Sequence, residues 1–265
     1  MPRFAANLSM LFTQVPLLDR FERAARAGFA AVEMQFPYEA PAAAIRDRLV
    51  SNRLKMVLHN LPAGDWAAGD RGIACQPERV AEFRAGVPRA IEYAKLLGVP
   101  MLNCLAGKAP VGVDDAVVRA TFVENLRYAA AALADADLKL LIEPINNRDV
   151  PGFWLNNTPK AISVIEEVGA KNLFLQYDVY HAQRYEGELA NTISAYIDHI
   201  AHVQVADHPG RHEPGTGEIN YDFIFAHLER AGYRGHVGCE YVPAGTTEAG
   251  LGWLERARRR LRGTV

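Results

Sequence analysis

The sequence has few of the features that mark secreted or membrane-spanning proteins. Its 265 residues include three cysteines, Cys75, Cys104 and Cys239, an odd number whose spacing matches no zinc-binding pattern. The N-terminal segment lacks the long apolar stretch and the cleavage site of a signal peptide. No apolar run approaches the roughly 18–20 residues needed to span a bilayer. These absences predict a reduced, cytoplasmic protein with no membrane partner.

Neither sign of charge is in large excess. The formal net charge is −2, and the one basic cluster, RARRRLR at 256–262, is expected to be the solvated face of a terminal helix. Nucleic-acid binding needs a broader basic surface, so we predict no nucleic-acid partner. The first predicted strand is not followed by GxGxxG, and the glycine-rich segment at 208–223 lacks GK[ST]. The first absence weakens the case for a dinucleotide-binding fold, and the second weakens the case for a phosphate-binding loop.

What the chain does contain is a regular alternation of short aliphatic runs and longer amphipathic segments. Strands are predicted at Phe4–Leu8, Ala31–Met34, Lys55–His59, Met101–Leu105, Lys139–Ile142, Leu173–Tyr177, Ala201–Val205 and His236–Cys239. Helices are predicted near 16–27, 40–51, 77–97, 115–136, 158–168, 186–199, 221–231 and 247–262. Eight of each, with no linker between them, predict an α/β fold of the (β/α)8 TIM barrel type, with one domain over residues 1–265.

Polar residues end every predicted strand, which is where such barrels carry their chemistry. The first four strands end at Asn7, at Glu33 with Gln35, at His59 with Asn60, and at Asn103. The last four lead into Glu143, Asp178, Gln204 and Glu240. Three carboxylates brought together repel one another unless a cation holds them, so the pattern predicts a divalent metal bound by these four residues. Oxygen ligands favour Mg²⁺ or Mn²⁺ over Zn²⁺. The alternative is that each carboxylate pairs with a lysine or arginine at the rim.

Four further residues are candidates for contacting a small substrate. His181 follows Asp178 by three residues, and Arg211 follows Gln204 by seven, within a loop rich in glycine and proline. Lys108 lies in the loop after the fourth strand, and His59 opens a long loop that contains Trp66 and resembles a lid. The alternatives are a capping histidine at 181, an ordered surface loop after His59, and solvated cations at 108 and 211.

Two glutamates and one cation are sufficient for an isomerase. A metal that binds a carbonyl oxygen and the neighbouring hydroxyl makes the α C–H group more acidic. Either Glu143 or Glu240 could then remove the proton while the other returns one to the adjacent carbon, through an enediol. The same groups would serve an epimerase, so the residues alone leave both reactions open.

The chain resembles the hydroxypyruvate isomerase family, within the xylose isomerase-like barrels, over nearly its whole length. The stretches that carry the resemblance are RFAANLSMLF, LHNLPAGDWAAGDRGIAC, VENLRYAA, LLIEPIN, GEINYDF and VGCEY. The resemblance implies isomerisation of hydroxypyruvate to 2-hydroxy-3-oxopropanoate (tartronate semialdehyde). It implies Glu143 and Glu240 as the proton donor and acceptor, and Mg²⁺ or a similar ion on the four strand-end residues. It also implies that His181 and Arg211 contact substrate oxygens.

One residue departs from the family pattern, because Val242 stands where a lysine is expected after VGCEY. Substrate choice is therefore open between hydroxypyruvate and the four-carbon 2-oxo-tetronate, and a ketose epimerase uses the same groups. A barrel that binds a ligand without catalysis, and an endonuclease-like barrel with a histidine-rich zinc cluster, are the remaining alternatives. Related barrels often associate, so a homo-oligomer is compatible with the sequence, although no segment identifies an interface.

Overall fold

A computed structural model describes residues 3–262 of the chain, with side chains described as far as residue 260. All strand pairs in its single sheet are parallel, and the spatial order is β3-β2-β1-β9-β8-β7-β6-β5-β4. The strands are β1 Arg3–Asn7, β2 Ala31–Glu33, β3 Lys55–Met56, β4 His59–Asn60, β5 Met101–Cys104, β6 Lys139–Ile142, β7 Leu173–Asp178, β8 Ile200–Val205 and β9 His236–Cys239. The ends of the predicted domain, 1–2 and 263–265, lie outside the described residues.

The sheet closes on itself through residues 55–60. β3 pairs with β2, whereas β4 pairs with β5 on the other side. Between these short strands the backbone N–H of Val57 donates to Val32 O at 2.9 Å, and Leu58 O accepts from Met34 N at 3.2 Å. Residues 55–60 therefore occupy one barrel position and join both ends of the sheet. The predicted (β/α)8 barrel is confirmed, with its third strand divided in two.

Helices follow the strands in chain order. They are α1 Leu17–Arg26, α2 Ala42–Ser51, α3 Val80–Leu97, α4 Asp115–Ala134, α5 Thr158–Val168, α6 Val179–Tyr185, α7 Leu189–Tyr196, α8 Tyr221–Arg230, α9 Thr247–Gly250 and α10 Gly252–Arg262. The main difference from the prediction is α6, which begins directly after β7 because the side chain of Asp178 caps it: Oδ1 accepts from Tyr180 N at 2.8 Å. None of the described helices is long and apolar enough to cross a membrane.

The barrel interior has an apolar floor and a polar upper layer. Side chains alternate between the two faces of a strand, so residues two apart point the same way. Ala5, Ala31, Met101 and Leu141 belong to a small buried cluster that is separate from the main core. Two residues further along the same strands, buried polar side chains replace them: Asn7, Glu33, Asn103 and Glu143. The apolar floor therefore supports a set of polar groups at the carboxyl ends of the strands.

Candidate active site

A cavity of about 200 Å³ opens at the carboxyl ends of the strands. Its volume suits a molecule of a few carbon atoms rather than a polymer. The residues around it come from several strand ends and from the loops that follow: Gln35, Asn60, Trp66, Arg71, Leu105, Glu143, Ile145, Asp149, Val150, His181, Arg211 and Glu240.

Glu143 is buried and is held by neutral donors. Its Oε2 accepts from Asn103 Nδ2 and from Gln176 Nε2, both at 2.9 Å. No lysine or arginine of the described residues lies within 4.0 Å of its carboxylate. Burial, and then the neighbouring charges of Glu240 and Asp178, raise the pKa of Glu143 well above its usual range. This carboxyl group is therefore poised to hold a proton when no cation is present.

Glu240 follows β9 and has donors on both oxygens. Oε1 accepts from Asn7 Nδ2 at 3.1 Å and from Gln35 Nε2 at 3.0 Å, and Oε2 accepts from Arg211 Nη2 at 2.8 Å. Burial raises the pKa of Glu240 to about 7 even though Arg211 acts in the opposite direction. A carboxyl group with a pKa near neutrality can both accept and donate a proton, as a general acid–base group must.

Asp178 and His181 lie side by side at the start of α6. Asp178 Oδ2 is buried, has no hydrogen-bond partner among the described residues, and lies 3.7 Å from His181 Nε2. Asn146 Oδ1 accepts from two backbone N–H groups, so its Nδ2 is the donor to His181 Nδ1 at 2.6 Å. The proton of the neutral imidazole is therefore on Nε2. Burial, with Arg211 and Arg184 adding to it, lowers the pKa of His181 well below its usual value, which keeps the ring neutral.

Gln204 belongs to a buried polar network beneath the cavity. Its Oε1 accepts from Gln176 Nε2 at 2.6 Å, and its Nε2 donates to Glu33 Oε1 at 2.8 Å. The same Glu33 oxygen accepts from Asn7 Nδ2 at 3.0 Å, and Glu33 Oε2 lies 2.6 Å from His202 Nε2. Through Asn7 and Gln176, the two ends of this network reach Glu240 and Glu143.

The fold and the site geometry agree with a known family. A family model described as xylose isomerase-like TIM barrel matches residues 21–257. The chain belongs to this family. The predicted resemblance is thereby confirmed.

Comparison with individual relatives indicates which class of reaction the chain catalyses. The hydroxypyruvate isomerase of Escherichia coli (strain K12) is 56% identical over 97% of this chain and 100% of its own length. A 2-oxo-tetronate isomerase of Cupriavidus necator is 49% identical over 96% of this chain and 98% of its own length. A solved structure named as an AP endonuclease, family 2, from Brucella melitensis is 45% identical, covers 97% of this chain and 99% of its own, and has a TM-score of 0.95. The prediction that the chain is an isomerase is confirmed by its curated relatives.

The predicted substrate contacts lie at different depths in this isomerase barrel. Arg211 and His181 line the cavity, whereas His59 is fully buried, with Nδ1 3.1 Å from Asn60 O and Nε2 lacking a partner among the described residues. Burial lowers the pKa of His59 to about 4. Lys108 is exposed, and its Nζ donates to Gly69 O at 3.3 Å. The roles of His59 and Lys108 stay predictions.

Val242 contributes to the site through its backbone. Its side chain is half exposed, but its N–H donates to Arg211 O at 2.8 Å and its carbonyl lies 2.8 Å from His212 Nδ1. Asp207, two residues after β8, is fully buried and accepts backbone hydrogen bonds from Gly215 and Ile219. These contacts fix the path of the loop that carries Arg211.

Several residues of the site were not predicted to act in it. Gln176 and Asn146 hold Glu143 and His181, and Arg71 lines the cavity. The period-two pattern of β7 could have identified Gln176, because it lies two residues before Asp178 and so on the same face. Nothing in the local pattern distinguishes Asn146 or Arg71 from other loop residues.

The donor set at this site fits a divalent cation. Glu143 and Asp178 offer carboxylate oxygens that lie within 4.8 Å of each other and of a ring nitrogen of His181, a group that does not include Glu240. Arg211 approaches both Glu240 and Asp178, at 2.8 and 3.6 Å, but one guanidinium does not balance three buried carboxylates. Asp178 Oδ2, buried and without a hydrogen-bond partner among the described residues, is the atom that most needs a further positive partner. The rim-pairing alternative therefore explains Glu240 better than it explains Glu143.

Proposed function

We propose that the chain interconverts hydroxypyruvate and 2-hydroxy-3-oxopropanoate, and that Glu143 and Glu240 exchange the proton. The observation that carries this proposal is a small cavity faced by two buried carboxyl groups from strands three barrel positions apart, each with a raised pKa. The identity to the Escherichia coli hydroxypyruvate isomerase supports the choice of substrate. The second candidate, 2-oxo-tetronate, is supported by the relative from Cupriavidus necator.

The residues that we propose to hold Mg²⁺ or Mn²⁺ are Glu143, Asp178, Gln204 and Glu240. When bound, the cation would stabilise negative charge on the substrate oxygens and so make the C3 hydrogen more acidic. One glutamate removes the proton from C3 of hydroxypyruvate, the enediol forms between C2 and C3, and the other glutamate delivers a proton to C2. The C3 hydroxyl loses its proton as it becomes the aldehyde, and the former carbonyl oxygen on C2 gains one to become the hydroxyl. The net reaction therefore moves two hydrogens without any external oxidant.

His181 and Arg211 would orient the reacting oxygens. The Nε2–H of His181 is directed towards the same region as Asp178 Oδ2, and its ring is held by Asn146. Arg211 Nη2 lies between Glu240 and Asp178, where it can donate to a substrate oxygen as well. Neither group needs to change its protonation state during the reaction, since both act as donors.

One observation supports the hypothesis of an endonuclease, namely the name given to the Brucella melitensis structure. A multi-zinc nuclease site would require several histidines among its ligands. Within the described residues, the group that could hold a metal contains one histidine, His181. The cavity is also small, and Trp66 is one of the residues that line it. These features favour a small hydroxy-oxo acid as the substrate.

The test of the proposed function is an NMR time course of the Mg²⁺-loaded protein with hydroxypyruvate or 2-oxo-tetronate in D₂O. We expect turnover of hydroxypyruvate, with deuterium entering C2 of the product to the extent that the glutamates exchange with solvent. Preparations treated with EDTA should lose turnover and recover it with Mg²⁺ or Mn²⁺. Conversion of 2-oxo-tetronate alone would transfer the assignment to the four-carbon substrate, and full turnover by metal-free protein would remove the metal from the proposal.

Metal affinity should depend on pH in a defined direction. A carboxyl group must be ionised to bind a cation, and the pKa of Glu240 in the metal-free protein is about 7. Affinity is therefore highest above pH 7 and falls as the pH drops below it, by about tenfold per pH unit for each proton that must be released. The raised pKa of Glu143 acts in the same direction, so we expect the Kd for Mn²⁺, measured by calorimetry, to rise at least about fivefold from pH 7 to pH 6. A Kd that is constant from pH 6 to pH 8 would contradict this.

The cellular setting that we propose is a cytoplasmic enzyme of glyoxylate metabolism, with a small hydroxy-oxo acid as its partner and no nucleic acid or membrane. This rests on the substrate chemistry and on the sequence composition rather than on any contact in the barrel.

A further inference from the structure

Arg71 is a cation at the cavity that no carboxylate of the described residues neutralises. It is half-buried in the loop after β4 and lines the same cavity as Glu143 and Glu240. Its Nη1 donates to two backbone carbonyls, Trp66 O at 3.1 Å and Asp70 O at 2.6 Å. Nε and Nη2 donate to no described residue, and no described carboxylate lies within ion-pair distance. The free edge of the guanidinium is the one that binds a carboxylate through two parallel hydrogen bonds.

The aromatic ring of Trp66 holds this guanidinium in place. The Arg71 Cζ atom lies 4.2 Å from the centre of the Trp66 ring, a cation–π distance. Trp66 in turn contacts the ring of Phe36, with ring centroids 5.1 Å apart. Both residues of the stacked pair, Arg71 and Trp66, line the cavity.

The base of the loop is fixed by close backbone approaches next to Arg71. Gly72 N donates to Ala63 O at 3.1 Å, which joins the two ends of the loop. Gly72 has φ +105, and a Cβ there would lie 2.4 Å from Leu105 O. At Gly107, with φ +98, a Cβ would lie 2.3 Å from Gly72 O. These two glycines let the loop after β4 pack directly on the segment after β5, so the position of Arg71 is set by the fold.

The other positively charged side chains near the site already contact carboxylates or the backbone. Arg211 lies against Glu240 and Asp178, and Arg184 lies 3.3 Å from Asp149. Lys108 is exposed and donates to the backbone of the Arg71 loop. Of the two arginines that line the cavity, Arg71 is the one with no carboxylate partner among the described residues.

We propose that Arg71, stacked on Trp66, binds the carboxylate of the substrate. The proposal rests on the proposed function, in which the substrate is a 2-oxo or 2-hydroxy acid. In hydroxypyruvate and in 2-oxo-tetronate the proton moves between C2 and C3, and the carboxylate is attached to C2 in both. Arg71 therefore recognises the end that the two acids share, and the choice between them is made by the residues around C3.

The test compares Arg71→Met, Arg71→Lys and a matched control, Arg84→Met. Arg84 is also stacked on an aromatic ring, with its Cζ 5.1 Å from the centre of Tyr128, but on the outer helices α3 and α4. For Arg71→Met we expect KM to rise about 100-fold for both acids, the size expected when charge-assisted hydrogen bonds are lost, with a smaller change in kcat. Arg71→Lys should recover part of the loss, because it restores the charge but not the paired donors. Arg84→Met should keep the wild-type KM.

Two further measurements separate the subsite from the reaction. The Kd for Mn²⁺ should stay within about twofold of the wild-type value in Arg71→Met, since Arg71 is not a ligand of the cation. Calorimetric binding of hydroxypyruvate to metal-loaded protein tests the subsite even if the wild type shows no turnover, an outcome that would contradict the proposed function alone. Unchanged affinity for hydroxypyruvate in Arg71→Met would overturn the subsite, and so would a loss confined to one of the two acids.

Discussion

Replacing Glu143 by glutamine should lower kcat for hydroxypyruvate by about 10³-fold, within the range that a positioned general acid–base group contributes. Glutamine keeps the shape of the side chain and one oxygen that can still accept from Asn103 and Gln176. The barrel should therefore keep its circular dichroism spectrum and its thermal unfolding midpoint. Glu240→Gln would also disturb the contact with Arg211, because its new amide group would face the Arg211 donor that now binds Oε2.

Half-reactions measured in D₂O distinguish the roles of the two glutamates. The variant that lacks the C3 base should show neither product nor deuterium at C3 of hydroxypyruvate. The variant that lacks the C2 acid should show deuterium at C3 without product. Glu166→Gln, a change at an exposed position on α5, is the matched control and should turn over at the wild-type rate. Near-wild-type turnover by both Glu143→Gln and Glu240→Gln would contradict the two-glutamate mechanism.

The fold was predictable because its signals are local and repeated. Buried parallel strands read as short apolar runs, and each is separated from the next by one amphipathic helix or more, so the eightfold pattern survives errors at single boundaries. The third strand is an instructive exception. Its apolar run predicts one strand over Lys55–His59, but the backbone pairs with β2 at its start and with β5 at its end. These two different pairing partners depend on closure of the barrel and cannot be predicted from the local sequence.

The site was predictable to the extent that it lies on strand ends. Glu143 and Glu240 could be found because parallel strands bring their carboxyl ends to one face, and a charge at the end of an apolar run has to be satisfied there. Arg71 and Asn146 could not be found in this way, because the path of a loop decides where their side chains lie. The extra helix α6 escapes prediction for a related reason, since its first turn depends on capping by Asp178, a residue also predicted to bind metal.

Replacing Glu33 is expected to have the second large effect, on the affinity for the cation, although Glu33 lies beneath the cavity and is fully buried. Its Oε1 accepts from both Asn7 and Gln204, so it fixes the direction of the Gln204 amide, with Nε2 at Glu33 and Oε1 turned to the side of Gln176. A Cβ at Gly238 would lie 2.3 Å from Glu33 Oε2, so a side chain at this position would displace the carboxylate. The carboxylate therefore has a site shaped for it, and we expect it to hold Gln204 in the orientation that offers an oxygen to the cation.

Glu33→Ala should weaken Mn²⁺ binding by roughly 10–100-fold, the usual cost of removing a group that orients a metal ligand. It leaves the Nε2 of Gln204 without its acceptor and the Nδ2 of Asn7 with Glu240 Oε1 alone, so the Gln204 amide can turn. Glu33→Gln should lose less, because one oxygen can still accept from both amides, and the imidazole of His202, whose Nδ1 has no partner among the described residues, can change its tautomer to accept from the new amide. Calorimetric titration of metal-free protein measures both variants without relying on turnover. If both lost affinity equally, the charge of Glu33 would matter rather than its direction of acceptance, and if Glu33→Ala bound Mn²⁺ as the wild type does, Gln204 would not depend on Glu33 at all.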